Sequence, residues 1–340
     1  MPYETEQEEE AMNRSTLRAL LCMVVAGLAL GTGAVASAAE ATHFPAQPIH
    51  LVVPFPPGGA VDILGRLIAK QISTQTGQPV VVENKPGANG NIGTEAVVRA
   101  KPDGYTILLA ANGLATNASL YHKRSFTEQK DLEPIAYLGY APLIMVVPEA
   151  SPYHSLKDVI AAAKADPAKI SYASSGNGSA PHLASELLKL TTHTQMLQVA
   201  YKGGAPAIVD LEAGRVTFMF LNPLEAMPQI NGHRLRPILV GSPKRFAPLP
   251  DVQTATEAGF PELEATVWWG FTAPAHTPKD VVSALNAEIN KALASPEVKA
   301  TFEKMGVVAE GGSVEKFDRY LDAQTTKWAT VIQKTGIHAD

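Results

Sequence analysis

The chain has 340 residues, 28 Lys+Arg against 33 Asp+Glu, a net charge of −5 and 46% apolar residues, the profile of a globular protein of about two domains. That apolar share excludes intrinsic disorder, and the acidic balance lacks the cationic excess that nucleic-acid binding draws on through counterion release. A single cysteine, Cys22, excludes a disulfide scaffold and a zinc–thiolate cluster.

Residues 1–10 carry five glutamates, unlike the front of a secretory signal. From Met12 the pattern changes: Arg14 and Arg18 form a short cationic region, Ala19 to Leu30 is an apolar run, and Ala36-Ser37-Ala38 fits an A-x-A cleavage site. We expect a signal peptide over residues 1–39, with Met12 as an alternative start. A membrane anchor fits less well, because the run is shorter than the ~20 residues a span needs. Leu21 before Cys22 is wrong for a lipoprotein box. Removing residues 1–39 takes away two arginines and five glutamates, which leaves a net charge of −2 and no cysteine.

Beyond it the chain reads as repeated strand–loop–helix units. Ile49 to Phe55 is a short apolar run of the kind buried on both faces of a parallel sheet. Pro56-Pro57-Gly58-Gly59 breaks it, and Val61, Leu64, Ile68 and Ile72 follow at helical spacing. Strand Val80–Glu83, loop Pro86–Gly93 and helix Thr94–Arg99 repeat the unit, and Tyr105–Ala111 is a third strand leading to Asn112-Gly113. Leu143–Val147 starts a second series: helix Leu156–Lys164, strand Ile170–Ala173, helix His182–Leu190, strand Leu197–Tyr201, helix Pro206–Glu212 and strand Val216–Leu221. Val267–Ala273 is expected as a return strand, before helices that carry Leu285 and Ile289, then Phe317 and Trp328. The alternation predicts α/β architecture with two lobes. We expect a discontinuous lobe 1 (40–142 and 268–340) and a lobe 2 (143–267).

Three glycine-rich loops fall where strands lead into helices: Pro56–Gly59, Ser174–Ser179 and Tyr201–Pro206. Ligands of open α/β sheets bind outside the carboxyl ends of the strands, and a helix N-terminus holds an anion with bare N–H groups. Each loop alone could be only a tight turn; three in corresponding places favour a site. Competing motifs are weak. Gly87 to Gly93 has G-x-x-G-x-x-G spacing and lacks the G-x-G of a dinucleotide turn, and no P-loop or G-x-S-x-G elbow occurs. Ser175 and Ser179 fit caps or ligand hydrogen bonds better than nucleophiles. The histidines lack metal-ligand spacing, so neither a metal nor a cofactor is expected. Asp62 suits helix capping first and ligand contact second, while His182 is either a ligand contact or a surface residue. Trp268 and Trp269 suit core or hinge packing, and Lys202 either an anion contact or solvent.

From about Phe44 to Trp328 the chain resembles the Bug-type periplasmic solute-binding proteins of tripartite tricarboxylate transport systems. The resemblance rests on Pro48 to Gly59 with Asp62, Val82-Glu83-Asn84-Lys85-Pro86-Gly87-Ala88 running to Gly93, Lys101 to Leu108, and Tyr201 to Ala207. It implies a two-lobed Venus flytrap of type II, each lobe a doubly wound mixed sheet flanked by helices. It also implies a non-enzymatic, monomeric periplasmic receptor that hands a small carboxylate to membrane subunits. Carried over by position, Phe55, Pro57, Gly58 and Gly59 form the first-lobe cradle, with Asn112 and Thr116 after the third strand. Ser175, Asn177, Ser179, His182, Tyr201, Gly203, Gly204 and Ala205 face them from the second lobe. Where the family often has Asp after the strand ending at Leu221, this chain has Asn222, which suggests a solute with an anionic or neutral tail. The other readings are a carboxylate sensor with the same fold, which neighbouring genes would separate from uptake, and an exported α/β hydrolase, for which no nucleophile–base pair is visible.

Overall fold

The structure, a computed structural model, describes residues 44–121 and 123–339; the expected signal segment, 1–39, lies outside the described residues. Strand β1 (Ile49–Val53) pairs in parallel with β2 (Val80–Asn84) on one side and β3 (Thr106–Ala111) on the other. Helix α1 (Ala60–Thr76) returns from β1 and lays Leu64, Ile68 and Ile72 on the sheet, the face its spacing predicts. Helices α2 (Asn91–Val98) and α3 (Gly113–Leu120) follow β2 and β3, and the short α4 (Glu128–Asp131) leads into β4 (Leu132–Pro142). The return strand β10 (Thr266–Pro274) lies antiparallel between β3 and β4, and β11 (Val308–Ala309) closes the edge. The order is β11-β4-β10-β3-β1-β2.

The second sheet contains β5 (Ile144–Pro148), β6 (Ser171–Ser174), β7 (Leu197–Ala200), β8 (Phe218–Leu221) and β9 (Leu235–Val240), in the order β7-β6-β8-β5-β9. β6 is parallel to β7 and β8; β5 is antiparallel to β8 and β9. Met145 and Val147 face one side of β5 with α5 (Leu156–Ala165) and α6 (Ala180–Thr192). Ile144 and Val146 face the other, with α7 (Gly204–Glu212) and α8 (Pro223–Asn231). Burial on both faces is why β5 reads as an unbroken apolar run instead of alternating.

The chain passes between the sheets at Leu143 and again over Gly241–Ala265. The two crossings are stitched together: Leu143 N–H donates to Ala265 O (3.0 Å), Gly241 N–H to Leu143 O (2.8 Å) and Ala265 N–H to Gly241 O (2.8 Å). Gly241 permits this approach, since a Cβ there would lie 2.5 Å from Ala265 O. After α9 (Lys279–Ala294) and α10 (Pro296–Met305), the last helix α11 (Val314–Thr335) spans both halves. Phe317 and Leu321 pack with Val52 and Trp268 of the first sheet, whereas Trp328, Val331 and Ile332 pack with Tyr172 and Phe218 of the second.

Sequence patterning did not reveal β4, β9 or α8. Pro134, Gly139 and Pro142 interrupt β4, yet its pairing with β10 tolerates them because register shifts fall at Trp269/Gly270 and Phe271/Thr272.

Candidate functional site

The parallel strands of both sheets aim their carboxyl ends at one cleft of about 360 Å³, and the loops after β1, β3, β6 and β8 wall it. After β1 come Phe55, Ala60 and Val61. Gly59, the residue before α1, supplies no side-chain cap. The first helical bond runs from Ile63 N–H to Gly59 O (3.0 Å), so the N–H groups of Ala60 and Val61 have no partner within the helix. They carry the positive end of a 17-residue helix into the cleft.

Asp62 is 4% exposed and lies outside the cleft wall. Its carboxylate accepts from Gly58 N–H (2.9 Å), Arg66 Nε (3.1 Å) and Asn84 Nδ2 (2.9 Å). Burial by itself would raise its pKa, but the bonds from Arg66, Gly58 and Asn84 overcome this and hold it below the ordinary 3.8. Asn84 Nδ2 also donates to Phe55 O (3.1 Å). Asp62 therefore anchors the Pro56–Gly59 loop from behind and is not the helix cap its place in the first turn suggests.

After β3, Asn112 and Thr116 line the cleft. Asn112 ties the wall to β10: Nδ2 donates to Thr266 O (2.9 Å) and Oδ1 accepts from Trp268 N–H (2.9 Å). Thr116 is 1% exposed, and its Oγ1 has no hydrogen-bond partner. A buried hydroxyl without a partner is costly, so its presence on this wall is informative.

On the second lobe Ser175, Ser179 and Asn222 line the cleft. Ser179 caps α6, accepting from His182 N–H (3.4 Å) while its hydroxyl donates to Gly176 O (2.7 Å). The Ser175 hydroxyl makes no hydrogen bond among the described residues. His182 is 4% exposed and turned away from the cleft; its Nδ1 accepts from Gly178 N–H (3.0 Å). Burial, with Lys189 adding and Glu186 opposing, keeps its pKa below 6.5, which suits that acceptor role. Asn222 caps α8 and engages Glu225 twice, accepting from its N–H (3.2 Å) and donating from Nδ2 to Oε2 (2.6 Å).

The structure thus gathers Phe55, Asn112, Thr116, Ser175, Ser179 and Asn222 on one cavity wall. Pro57, Gly58, Gly59, Asp62, His182, Gly203, Gly204 and Ala205 do not line it; Pro57, Gly58, Gly59 and Ala205 are exposed, whereas Asp62 and His182 are buried. Asn177 is exposed and accepts from Gln198 Nε2 (3.1 Å), and the Tyr201 hydroxyl donates to Asp210 (2.8 Å). Sequence reasoning stopped one residue short of Ala60 and Val61, although the free N–H groups of a helix always belong to the residues just after its cap. It also missed Glu225, which the Asn222 cap brings into the wall, and the apolar floor of Leu143, Val267, Trp269, Met305 and Val307. Trp268 is fully buried beside it. Among the described residues no group of three or more His, Cys, Asp or Glu could hold a metal ion.

Two mixed α/β lobes, joined at a stitched crossing and enclosing an apolar cleft with an uncapped helix end, define a solute-binding receptor. The profile of the tripartite tricarboxylate transporter family receptor matches residues 64–337, and the chain belongs to that family, one of solute-binding proteins and not of enzymes. Protein BugT of Bordetella pertussis is 34% identical over 92% of this chain and 97% of its own. An R. palustris protein solved with adipate is 33% identical with a TM-score of 0.76, over 87% of this chain and 99% of that one. MatC from Rhodopseudomonas palustris, solved with bound malate, is 27% identical with a TM-score of 0.73, over 85% and 100%.

Proposed function

We propose that the cleft captures a small carboxylate, held at its anionic end by the N–H groups of Ala60 and Val61 and by the Thr116 hydroxyl. One observation carries this reading: residues with unpaired helix donors, Ala60 and Val61, and one with an unpaired buried hydroxyl, Thr116, line the same apolar cavity. Such a site binds an anion without a cationic side chain, and among the described residues no Lys or Arg lines the cleft. The relatives solved with adipate and malate are consistent with it. The first lobe (40–142 and 268–340) meets the solute, and closure of the second (143–267) adds Ser175 and Asn222. The solute favours the closed form by the contacts it makes only there. That form passes its load to the membrane subunits of a tripartite transporter, from a monomer exported to the periplasm behind a cleaved segment 1–39. No helix among the described residues is long and apolar enough to cross a membrane.

Native mass spectrometry of the protein as purified, followed by thermal-shift titration with adipate, malate and neutral amides of the same length, tests the reading. The acids are expected to raise the melting temperature and the amides to leave it unchanged; equal shifts from both would refute it. Thr116→Val separates binding from stability. Exchanging an unpartnered hydroxyl for a methyl is expected to leave the unliganded protein as stable, or more stable by about 1 kcal/mol, while acid affinity falls about tenfold. A variant that loses stability and keeps its affinity would show that Thr116 serves the fold alone.

A further inference from the structure

Among the described residues, the second-lobe wall of the cleft carries one titratable side chain, Glu225. It sits in the first turn of α8, and its carboxylate reaches toward the start of α7. A Cβ on Gly204 would lie 2.5 Å from Glu225 Oε1. The chain's own carboxylate therefore abuts a helix start that would otherwise suit a solute anion. Asn222 Nδ2 donates to its other oxygen at 2.6 Å, so the amide that faces the cleft is already engaged.

No cation pairs with Glu225 among the described residues. α8 packs on β5, which carries no titratable group, and on β9, whose Arg236 pairs with Glu149 (3.2 Å). Just before β9, Arg234 pairs with Glu212 of α7 (3.0 Å), and Asp210 of α7 pairs with Arg215 while accepting from the Tyr201 hydroxyl. Lys202, beside Gly203, is exposed and joins no ion pair among the described residues. Glu303 and Lys304, just before the Gly306 turn that meets Pro223, are exposed as well. Burial, opposed only by the backbone bond at Asn222, pushes the Glu225 carboxyl above its usual 4.5. A half-buried acid without a counter-charge is stabilised by whatever brings it a proton.

Resting on the carboxylate reading above, we propose that Glu225 selects the far end of the solute. In place of the anionic or neutral tail expected from Asn222 alone, a tail that donates a hydrogen bond, hydroxyl or ammonium, is accepted directly, and a tail that is a second carboxylate enters only with one proton taken up between it and Glu225. The cleft is then bipolar: helix N–H groups receive an anion at the first lobe, and an acid receives a donor at the second. Asn222 acts as a positioning residue that holds the Glu225 carboxylate in place.

The test compares adipate with its hydroxy-tailed and amino-tailed analogues of equal chain length, titrated by calorimetry across pH 6 to 8 in buffers of different ionisation enthalpy, for the wild type and Glu225→Gln. In the wild type, adipate binding is expected to take up about one proton and to weaken by up to about tenfold per pH unit, while the hydroxy-tailed acid shows neither effect. Glu225→Gln keeps the size of the side chain and the acceptor for Asn222. It should abolish the proton uptake, strengthen adipate binding about tenfold at the upper pH and weaken the amino-tailed acid by a similar factor. The same proton count and order of preference in both proteins would overturn the inference and leave the carboxylate reading standing. If none of the three binds either protein, both fall. The wild-type proton count alone decides the point should the variant not fold.

Discussion

Ala60→Asp is expected to abolish solute capture while leaving the fold as stable as before. Residue 60 opens α1 and lines the cleft, so an aspartate there places a carboxylate against the N–H groups proposed to receive the solute. For the helix this is favourable: an acid in the first turn contributes about 0.3–1 kcal/mol through the macrodipole. For an incoming anion it is the reverse, because a like charge at the contact costs several kcal/mol. Affinity for adipate should fall about a hundredfold or more, with an unchanged or slightly higher melting temperature. Ala60→Asn, similar in size and uncharged, should lose far less. Calorimetric titration and thermal melts of the two variants check this. Equal losses from aspartate and asparagine would mean that bulk, not charge, blocks the cleft, and the helix-end account would be wrong.

Phe317→Ala is expected to destabilise the fold strongly. The ring is fully buried, stacks on Tyr137 at 5.9 Å between centroids and meets Trp268 edge-on at 6.0 Å. Removing a buried Phe costs about 3–5 kcal/mol, because neighbours only partly fill the space left behind. In a chain of this size that corresponds to a drop of about 5–8 °C in melting temperature. The cost here falls toward the upper end, since the ring belongs to a helix that both cores grip. A drop of only one or two degrees would show that α11 contributes little to holding the first sheet.

Much of the fold was legible because buried parallel strands and amphipathic helices write themselves into composition: the β1 run, the Leu64–Ile68–Ile72 face and the second series from Leu143 follow from spacing alone. β4 was not, since its prolines and glycine look like loop residues until β10 supplies the shifted partner that accommodates them. For the site, glycine loops signalled where backbone approaches a ligand, and Phe55, Asn112, Thr116, Ser175 and Asn222 do meet at the cleft. What spacing cannot carry is direction. His182 and Asp62 each sit in a first turn beside a glycine loop, yet each turns inward to accept a backbone N–H. Glu225 looks like any surface glutamate in sequence, and only the Asn222 cap and the close approach of Gly204 turn it into the cleft. Trp269, Met305 and Val307 come from distant segments that share no local pattern.

A flytrap hung on two strands alone could gape widely, but α11 adds a third tether of a different kind. Its 22 residues make a rod about 33 Å long, sunk at one end in the first core and at the other in the second. Any change of angle between the halves must be absorbed between Leu321 and Trp328, where the Trp328 indole N–H donates to Gln324 Oε1 (3.0 Å). Intact helices curve only gently, so the rod would set a mechanical ceiling on the closing movement proposed above. Release of cargo would then rest on a modest rocking movement, not on wide separation of the two halves.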